Sequence, residues 1–548
     1  MTWVDERCNL FNTIIANEPG VKILSQFIST ERSFNGTVVV EVENVSLRFR
    51  VKIPIGYPLG VNLFSIKFYC DEIVGYSHLN LDGSICLHPK PEENLKVKIR
   101  SEFNLLKIWI KDYYIEQKSD PHYGYLLINS TVHACMMFEE RISVLDKNSH
   151  GEFQYIDFYR RDIAKDLTYQ QFIAINLGGR NLNWSEEIRN QENRFRGVWV
   201  YIENEPVKIR REPGMNWKDI EKHFSKENVL YLLGIANSLM EENKLIDPSI
   251  DYFFMMLGYR IPGDRGDEVH WELIKINYSS IPFSFKGGSN EEEIEFCDAP
   301  IQWAKTVNCS YERFFGRGQL HSEIADKNIL VIGIGAIGSA LSKHLVRGGS
   351  KKITLVDYDI VEAGNICRSE YDLHHINEYK AISLSKELRS ISPHVSVNCI
   401  GEIDKTLPGA PNFYKIKSFL NDFDLIFDCS TDMELSYMFD RMEPKSRIVN
   451  LSVTDKAKDL VCVIGGYNVT DQKAIIFTKV SPITHPPNYY PGSGCQYPTF
   501  QASYTDINSL VSFAVRQINF GFIKENLQSF VISTSDEDAL LKLSFHVY

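Results

Sequence analysis

The stretch ILVIGIGAIGSAL, Ile329 to Leu341, constrains the fold of this 548-residue chain more than any other. An apolar run enters Gly333, Gly335 and Gly338, spaced G-x-G-x-x-G, and a helix-forming segment follows. Glycine at such a turn lets the backbone approach a phosphate closely and aims a helix N-terminus at its charge. The pattern alone is a weak signal, because an ordinary strand-to-helix turn also contains glycine. Its surroundings carry the reading. From about Tyr311 the segments KNILVIGIG, SALSKHLVRGG, KKITLVDYD, YKAISLSKELRS, HVSVNCI, DFDLIFDCS, RIVNLSV and DLVCVIGG alternate strand and helix. That alternation predicts a mainly parallel sheet with helices on its faces.

The rest of the chain is too long for one core, and at ~150 residues per domain about three domains are expected. From Asp5 to about Phe27 the spacing is helical, and GTVVVEVE, VSLRFRVKIP and LFSIKFYC then alternate as in an antiparallel meander. A second helix is expected in SEFNLLKIWIKDYYIEQ, with Ser101 as its cap. This first domain is expected to span 1–145. Residues 146–310 mix strand-like runs with the helical run KENVLYLLGIANSLMEENK and read as a middle α/β linker domain, ending after a loop signal around Gly287. The third domain covers 311–548.

The net charge of −12, from 59 basic and 71 acidic residues, argues against bulk nucleic-acid binding. The N-terminus MTWVDERCNL lacks a positive region ahead of an apolar core, and no run approaches the ~20 apolar residues that span a bilayer, so a cytoplasmic, membrane-free protein is expected. The eleven cysteines form no CxxC pair, which suggests neither a disulfide framework nor a four-cysteine zinc site. Cys70, Cys399 and Cys462 sit in apolar, strand-like settings and read as buried, inert thiols.

Asp357 ends the second strand of the third domain, where a carboxylate can accept hydrogen bonds from ribose hydroxyls, as in a nicotinamide oxidoreductase. The continuation differs. LVDYDIVEAGNICR places Asp359, Asn365 and Arg368 downstream, and Lys380 follows in INEYKA. This set resembles the ThiF/MoeB and ubiquitin-activating superfamily, whose pattern reads roughly D-x-D-x-V-x-x-x-N-x-x-R and then a lysine. The resemblance implies a Rossmann-like adenylation domain that uses ATP and Mg²⁺ to adenylate a protein's C-terminal carboxylate. It makes Asp357 the ribose partner and puts Asn365, Arg368 and Lys380 around the phosphates. The family's magnesium-associated aspartate corresponds to Asp432 or Asp428 in DCSTD, with Asp432 favoured. Arg317 in FFGRGQL, or Arg313, takes the place of an arginine that reaches into the other subunit of family homodimers.

A carboxyl adenylate is often passed to a thiol, which needs a reachable cysteine on a polar loop. Cys495 meets that need in SPITHPPNYYPGSGCQYPTFQAS, a segment where proline and glycine prevent regular structure, with His485 and Thr499 near in sequence. Its position resembles the catalytic cysteine in the crossover loop of thioester-forming activating enzymes. Cys86 is the second candidate, in SHLNLDGSICLHP. With the preceding strands and the helix holding Trp109, this stretch resembles the ubiquitin-conjugating-enzyme (UBC) domain, an α+β fold. That family places an H-P-N-like tripeptide before the cysteine; here it is His78-Leu79-Asn80, and the interval is shortened as in the bacterial branch. The resemblance makes Asn80 the side chain that steadies the oxyanion or the active-site loop. His78 reads equally as a turn histidine, and His88 as plain surface.

In chain order the three modules resemble the fused conjugating-and-activating proteins of bacterial CBASS antiphage operons. That resemblance implies a cGAS/DncV-like nucleotidyltransferase partner whose C-terminus is activated and joined to a target amine, without a separate ubiquitin. Two alternatives are a sulfur-carrier activator that has no use for Cys86 and an inactive scaffold.

Overall fold

A computed structural model describes residues 3–59, 65–73, 79–80, 82–118, 130–139, 145–146, 149–164, 167–203, 216–263, 266–286, 293–466, 468–480, 501–537 and 540–548 of the chain. The chain is mixed α/β and divides into two compact units. One combines Met1–Leu182 with Asn193–Asn308, the other Asn183–Glu192 with Cys309–Tyr548. Among the described residues no helix is long and apolar enough to cross a membrane.

The first unit begins with helix α1 (Trp3–Ala16), which buries Phe11, Ile14 and Ile15 on one face. The helix expected to reach Phe27 stops at Ala16, because Pro19 and Gly20, the latter at φ +68°, break it. Strands β1 (Val21–Ser29), β2 (Ser33–Val42), β3 (Val45–Pro54) and β4 (Lys67–Tyr69) form an antiparallel sheet in that order. In β3 the alternation of VSLRFRVKIP is realised: Leu47, Phe49, Val51 and Ile53 are buried, while Arg48, Arg50 and Lys52 face out. Helix α2 (Leu95–Trp109) covers the apolar face with Ile99, Phe103, Leu106 and Trp109. Its cap is Asn94, whose Oδ1 accepts the Val97 N–H at 3.2 Å; Ser101 lies inside the helix. An asparagine satisfies the open amides of a first turn as well as serine does, so the helix starts at the earlier of the two.

The remainder of this unit is a closed barrel of β5 (Ala134–Phe138), β6 (His150–Ala164), β7 (Leu167–Ala174), β8 (Phe195–Tyr201), β9 (Tyr252–Gly263), β10 (Gly266–Asn277) and β11 (Gln302–Asn308), with helix α3 (Lys226–Ile246) between β8 and β9 in sequence. The strand order is β8-β9-β10-β11-β5-β7-β6. Inside, the rings of Tyr155, Phe172, Phe195 and Phe254 pack with centroids 5.0 to 5.6 Å apart. Two features differ from the sequence reading of a middle α/β segment starting at 146. The module is chiefly strand, and β5, on the N-terminal side of 145, is one of its staves. β5 pairs in parallel with β7 and β11, partners distant in sequence that local periodicity does not reveal.

The second unit is built on an eight-stranded sheet. Its elements are β12 (Asn328–Ile332), α4 (Ala336–Arg347), β13 (Lys352–Val356), α5 (Lys380–Ile391), β14 (Ser396–Ile400), α6 (Phe413–Asn421), β15 (Leu425–Asp428), α7 (Met433–Met442), β16 (Arg447–Val453), β17 (Asp459–Gly465), α8 (Val469–Val480), α9 (Tyr504–Ile523), β18 (Phe530–Glu537) and β19 (Leu540–Val547). The order is β14-β13-β12-β15-β16-β17-β18-β19, with the first five strands parallel and the last three added antiparallel. From β12 the chain moves out to β13 and β14, then returns to β15 on the opposite side of β12. That reversal opens a crevice at the carboxyl end of β12, the place where such sheets bind ligands.

Cys70 and Cys462 are buried as expected, but Cys399 is exposed. It lies on β14, which among the described residues is the edge strand of the sheet, with a neighbouring strand on one side alone. The backbone of that edge is capped: Glu187 Oε1 accepts the Val397 N–H at 2.9 Å.

Candidate functional site

The glycine turn stands at the mouth of the crevice. Gly333 has φ +75° and donates its N–H to the Val356 carbonyl at 2.9 Å. A Cβ there would lie 2.5 Å from Ser430 Cα, and one on Gly338 would lie 2.1 Å from the Gly333 oxygen. Those two glycines are required by the chain's own packing. Gly335, the cap residue of α4, is different, because a Cβ there would meet nothing within 4 Å. It borders open space at a helix N-terminus, which is room of the kind a phosphate needs.

Asp357 follows β13 and folds its carboxylate back on the turn. Oδ2 accepts the Ile334 N–H and Oδ1 the Asp359 N–H, each at 2.9 Å. Burial pushes this carboxyl above its ordinary range, against the pull of Lys380. Lys380 opens α5, is itself buried, and pairs with Asp359 Oδ2 at 2.9 Å. The resulting cleft, about 360 Å³, is lined by Gly333, Asp357, Asp359, Lys405, Ser430, Thr431 and Asp432 among others.

Of the two aspartates in DCSTD, only Asp432 lines the cleft. Its Oδ1 caps α7 by accepting the Glu434 and Leu435 amides at 2.9 and 3.2 Å, and its Oδ2 meets Lys405 Nζ at 2.7 Å. Burial works against its charge, yet Lys405 and the α7 amides hold the carboxyl below its usual range. Asp428 is wholly buried, with Oδ1 accepting the Ser430 hydroxyl at 2.6 Å and Oδ2 the Asn450 amide at 2.7 Å. It braces the loop from below.

Other expected residues stand outside the cleft lining. Asn365 Oδ1 accepts the Glu362 N–H at 3.0 Å, closing its own short helix, and Arg368 is half-buried nearby. Arg317 and Arg313 are exposed and do not line it. Lys405 is the residue that sequence reasoning missed. The available signal was a cation in the loop leaving β14, at the carboxyl edge where ligands bind.

In the first unit, Cys86 follows a tight turn. Asn80 and Ser84 close it through an N–H to O bond of 2.7 Å, with Gly83 at φ +76°. The Asn80 side-chain amide donates to Ser84 Oγ at 3.0 Å and to the Ile85 carbonyl at 3.1 Å, so both of its donors hold the loop. Cys86 is half-buried; burial pushes its thiol up, and Lys67 pulls it down. His88 is exposed but not plain surface: its Nε2 lies 3.7 Å from the Cys86 sulfur. Cys495, with His485 and Thr499, and His78 lie outside the described residues.

Residues 310–452 match the ThiF family. The C-terminal unit carries a ThiF domain. The glycine turn, Asp357, Lys380, Lys405 and Asp432 fall inside the match, and both candidate cysteines fall outside it. Over 349 residues, 60% of this chain and 57% of the relative, the chain is 23% identical to the ATP-dependent ubiquitin transferase-like protein Cap2 of Enterobacter hormaechei subsp. hoffmannii (strain UCI 50). Over 157 residues, 28% of this chain and 56% of the relative, it is 29% identical to the molybdopterin-synthase adenylyltransferase of Haemophilus influenzae. The chain thus spans a little more than half the length of either relative. Among solved structures, E. coli MccB with ATP is 14% identical with a TM-score of 0.30, covering 41% of this chain and 64% of that one.

Proposed function

We propose that the ThiF domain adenylates the C-terminal carboxylate of a partner protein with ATP, and that the acyl group then passes through Cys495 and Cys86 to an amine. The observation that carries this reading is the convergence, in one cleft at the sheet's reversal, of Gly333, the Asp357 carboxylate and the Asp432–Lys405 pair, with open space at Gly335 further along the same glycine turn. Asp357 suits the ribose hydroxyls, and Lys380, Arg368 and Asn365 suit the phosphates. Of the two DCSTD aspartates, Asp432 is the one that faces the cleft and would hold Mg²⁺ once its Oδ2 leaves Lys405; the ion, when bound, offsets the charge of the phosphate oxygens. A partner carboxylate attacks the α-phosphorus, pyrophosphate leaves, and the negative charge that builds up is met by fixed cations. Attack by a cysteine thiolate on the acyl-adenylate releases AMP, and each later thioester keeps the acyl carbon activated toward an amine.

The likenesses to a ubiquitin transferase-like protein and to an adenylyltransferase support the two halves of this reading. The helix and meander ahead of Cys86, with the covering helix α2 after it, suit a UBC-like carrier module. With both side-chain donors of Asn80 engaged in the turn, its role is to steady the loop. The partner is a cGAS/DncV-like nucleotidyltransferase, the acceptor is a protein amine, and the chain acts as a homodimer to which Arg317 is supplied in trans. A sulfur-carrier activator is the second reading, favoured by the adenylyltransferase likeness and independent of Cys86.

ATP–pyrophosphate exchange tests the adenylation step. Exchange is expected only when the partner's free C-terminal carboxylate is present, and Asp432→Ala is expected to remove it. Full exchange in both Asp432→Ala and Asp428→Ala would refute the magnesium assignment, and tight NAD binding without exchange would refute adenylation.

A further inference from the structure

We infer that His88 is the general base that removes the proton from Cys86 as the acyl group arrives. This rests on the reading of Cys86 as an acyl carrier. Three observations on the same segment carry it. His88 Nε2 lies 3.7 Å from Cys86 Sγ, within reach of a sulfur hydrogen bond. The two residues are separated by Leu87 alone, just after the Leu79–Ile85 bridge, so the ring reaches the sulfur within one short segment. The segment is also held at both ends: the Ile85 N–H donates to the Phe68 carbonyl at 2.8 Å, and the Lys90 carbonyl accepts from the buried Lys98 Nζ at 2.7 Å. His88 is therefore presented to the sulfur by a fixed backbone while its ring stays open to solvent.

The chemistry calls for such a group. Only the thiolate attacks a thioester, and an imidazole is the side chain suited to accept a proton near neutral pH. The charged groups around the thiol do not replace it. Lys67 on β4 favours the thiolate but sits 3.5 Å from Asp82, whose carboxylate also accepts from Tyr69 at 3.2 Å and from the Ser84 hydroxyl. In the transfer, the Cys86 S–H bond breaks and its proton goes to Nε2. The sulfur bonds to the acyl carbon of the incoming thioester, that carbon's bond to the donor sulfur breaks, and the departing thiolate takes the proton back from the imidazolium. Protons and charge balance with no further reactant.

The test is alkylation of Cys86 by iodoacetamide across pH 5.5 to 9.5, read by mass spectrometry of the Cys86 peptide, because Cys297, Cys367 and Cys399 are exposed as well. Wild type, His88→Gln and Lys67→Met are compared in the full chain. The expected result is a loss of about tenfold in rate at pH 7 for His88→Gln, one unit in thiolate availability, with the pH midpoint displaced upward. Lys67→Met is expected to show a smaller loss. His88 is exposed, so an unchanged thermal melt should accompany the effect. The same rate and midpoint in His88→Gln and wild type would overturn the inference. Alkylation needs neither ATP nor a partner, so the inference can fail while the relay stands, and the relay can fail while the inference stands.

Discussion

In the glycine turn, Gly333 ties itself to Val356 through the backbone and tolerates no Cβ; in the Cys86 loop, the backbone bond that closes the turn is reinforced by the side-chain amide of Asn80, and α2 holds the far end through the side chain of Lys98. The cleft is held by sheet topology, since it lies where parallel strands end on either side of β12. The loop depends on side chains as well as backbone bonds, and next to it stands a wholly buried ion pair, Lys98 Nζ to Glu102 Oε1 at 3.1 Å, with Glu102 Oε2 accepting the Ile66 N–H at 2.6 Å. A site held by topology should respond to backbone changes and little else. One held by a buried charged pair should respond to single side-chain changes and to pH.

The largest effect should come from that pair. Lys98→Met strands a buried carboxylate, and a loss of about 3–5 kcal/mol from the first unit at pH 8 is expected in urea unfolding. A loss below about 1 kcal/mol would show that the loop is not held this way. The same pair gives a pH signature. Burial raises the Glu102 carboxyl from 4.5 to about 7. The folded chain then keeps a proton that the unfolded chain has released, so this contribution is full below the unfolded value and fades as pH rises through about 7. Glu102→Gln should flatten that part of the stability profile; an identical slope in the variant would exclude the assignment.

Next in size is the glycine pair. Gly333→Ala, forced to positive φ against Ser430, should cost the ThiF domain about 2–3 kcal/mol. Gly335→Ala should change stability by less than about 1 kcal/mol yet weaken ATP binding strongly, as read by calorimetry. If both variants bound ATP equally well, the open space at Gly335 would not be a phosphate site. Asp432→Ala removes a helix cap, with about 1 kcal/mol expected in unfolding, a modest loss beside the abolished exchange. Arg317→Ala, at an exposed position, should lie within about 0.5 kcal/mol of wild type, and its exchange should fall only if a second subunit receives the side chain.

The same contrast decides what the sequence reveals. The runs ILVI and LIF are apolar throughout, and ITLV is broken only by Thr354, because parallel strands are covered on both faces, so β12, β13 and β15 are legible without a structure. The positions at their carboxyl ends, among them Asp357, follow from topology. Lys405 was legible only as a cation in the loop after β14, since a lone lysine in a polar loop resembles any solvated one until the loop is placed over Asp432. β5 was not legible, since its parallel partners lie far along the chain. The Cys86–His88 approach was not legible, because residues 86–90 have no regular structure whose period would bring the two side chains together.

The central claim, a relay from adenylate through two thiols, is tested most directly on a non-reducing gel with ATP and a labelled nucleotidyltransferase of the class proposed as partner, run for wild type, Cys495→Ala and Cys86→Ala. The relay requires thiol-sensitive adducts on wild type, none on Cys495→Ala, and an adduct without conjugate on Cys86→Ala. Adenylate formation with no thioester on either cysteine, or full conjugate yield from Cys86→Ala, would contradict it.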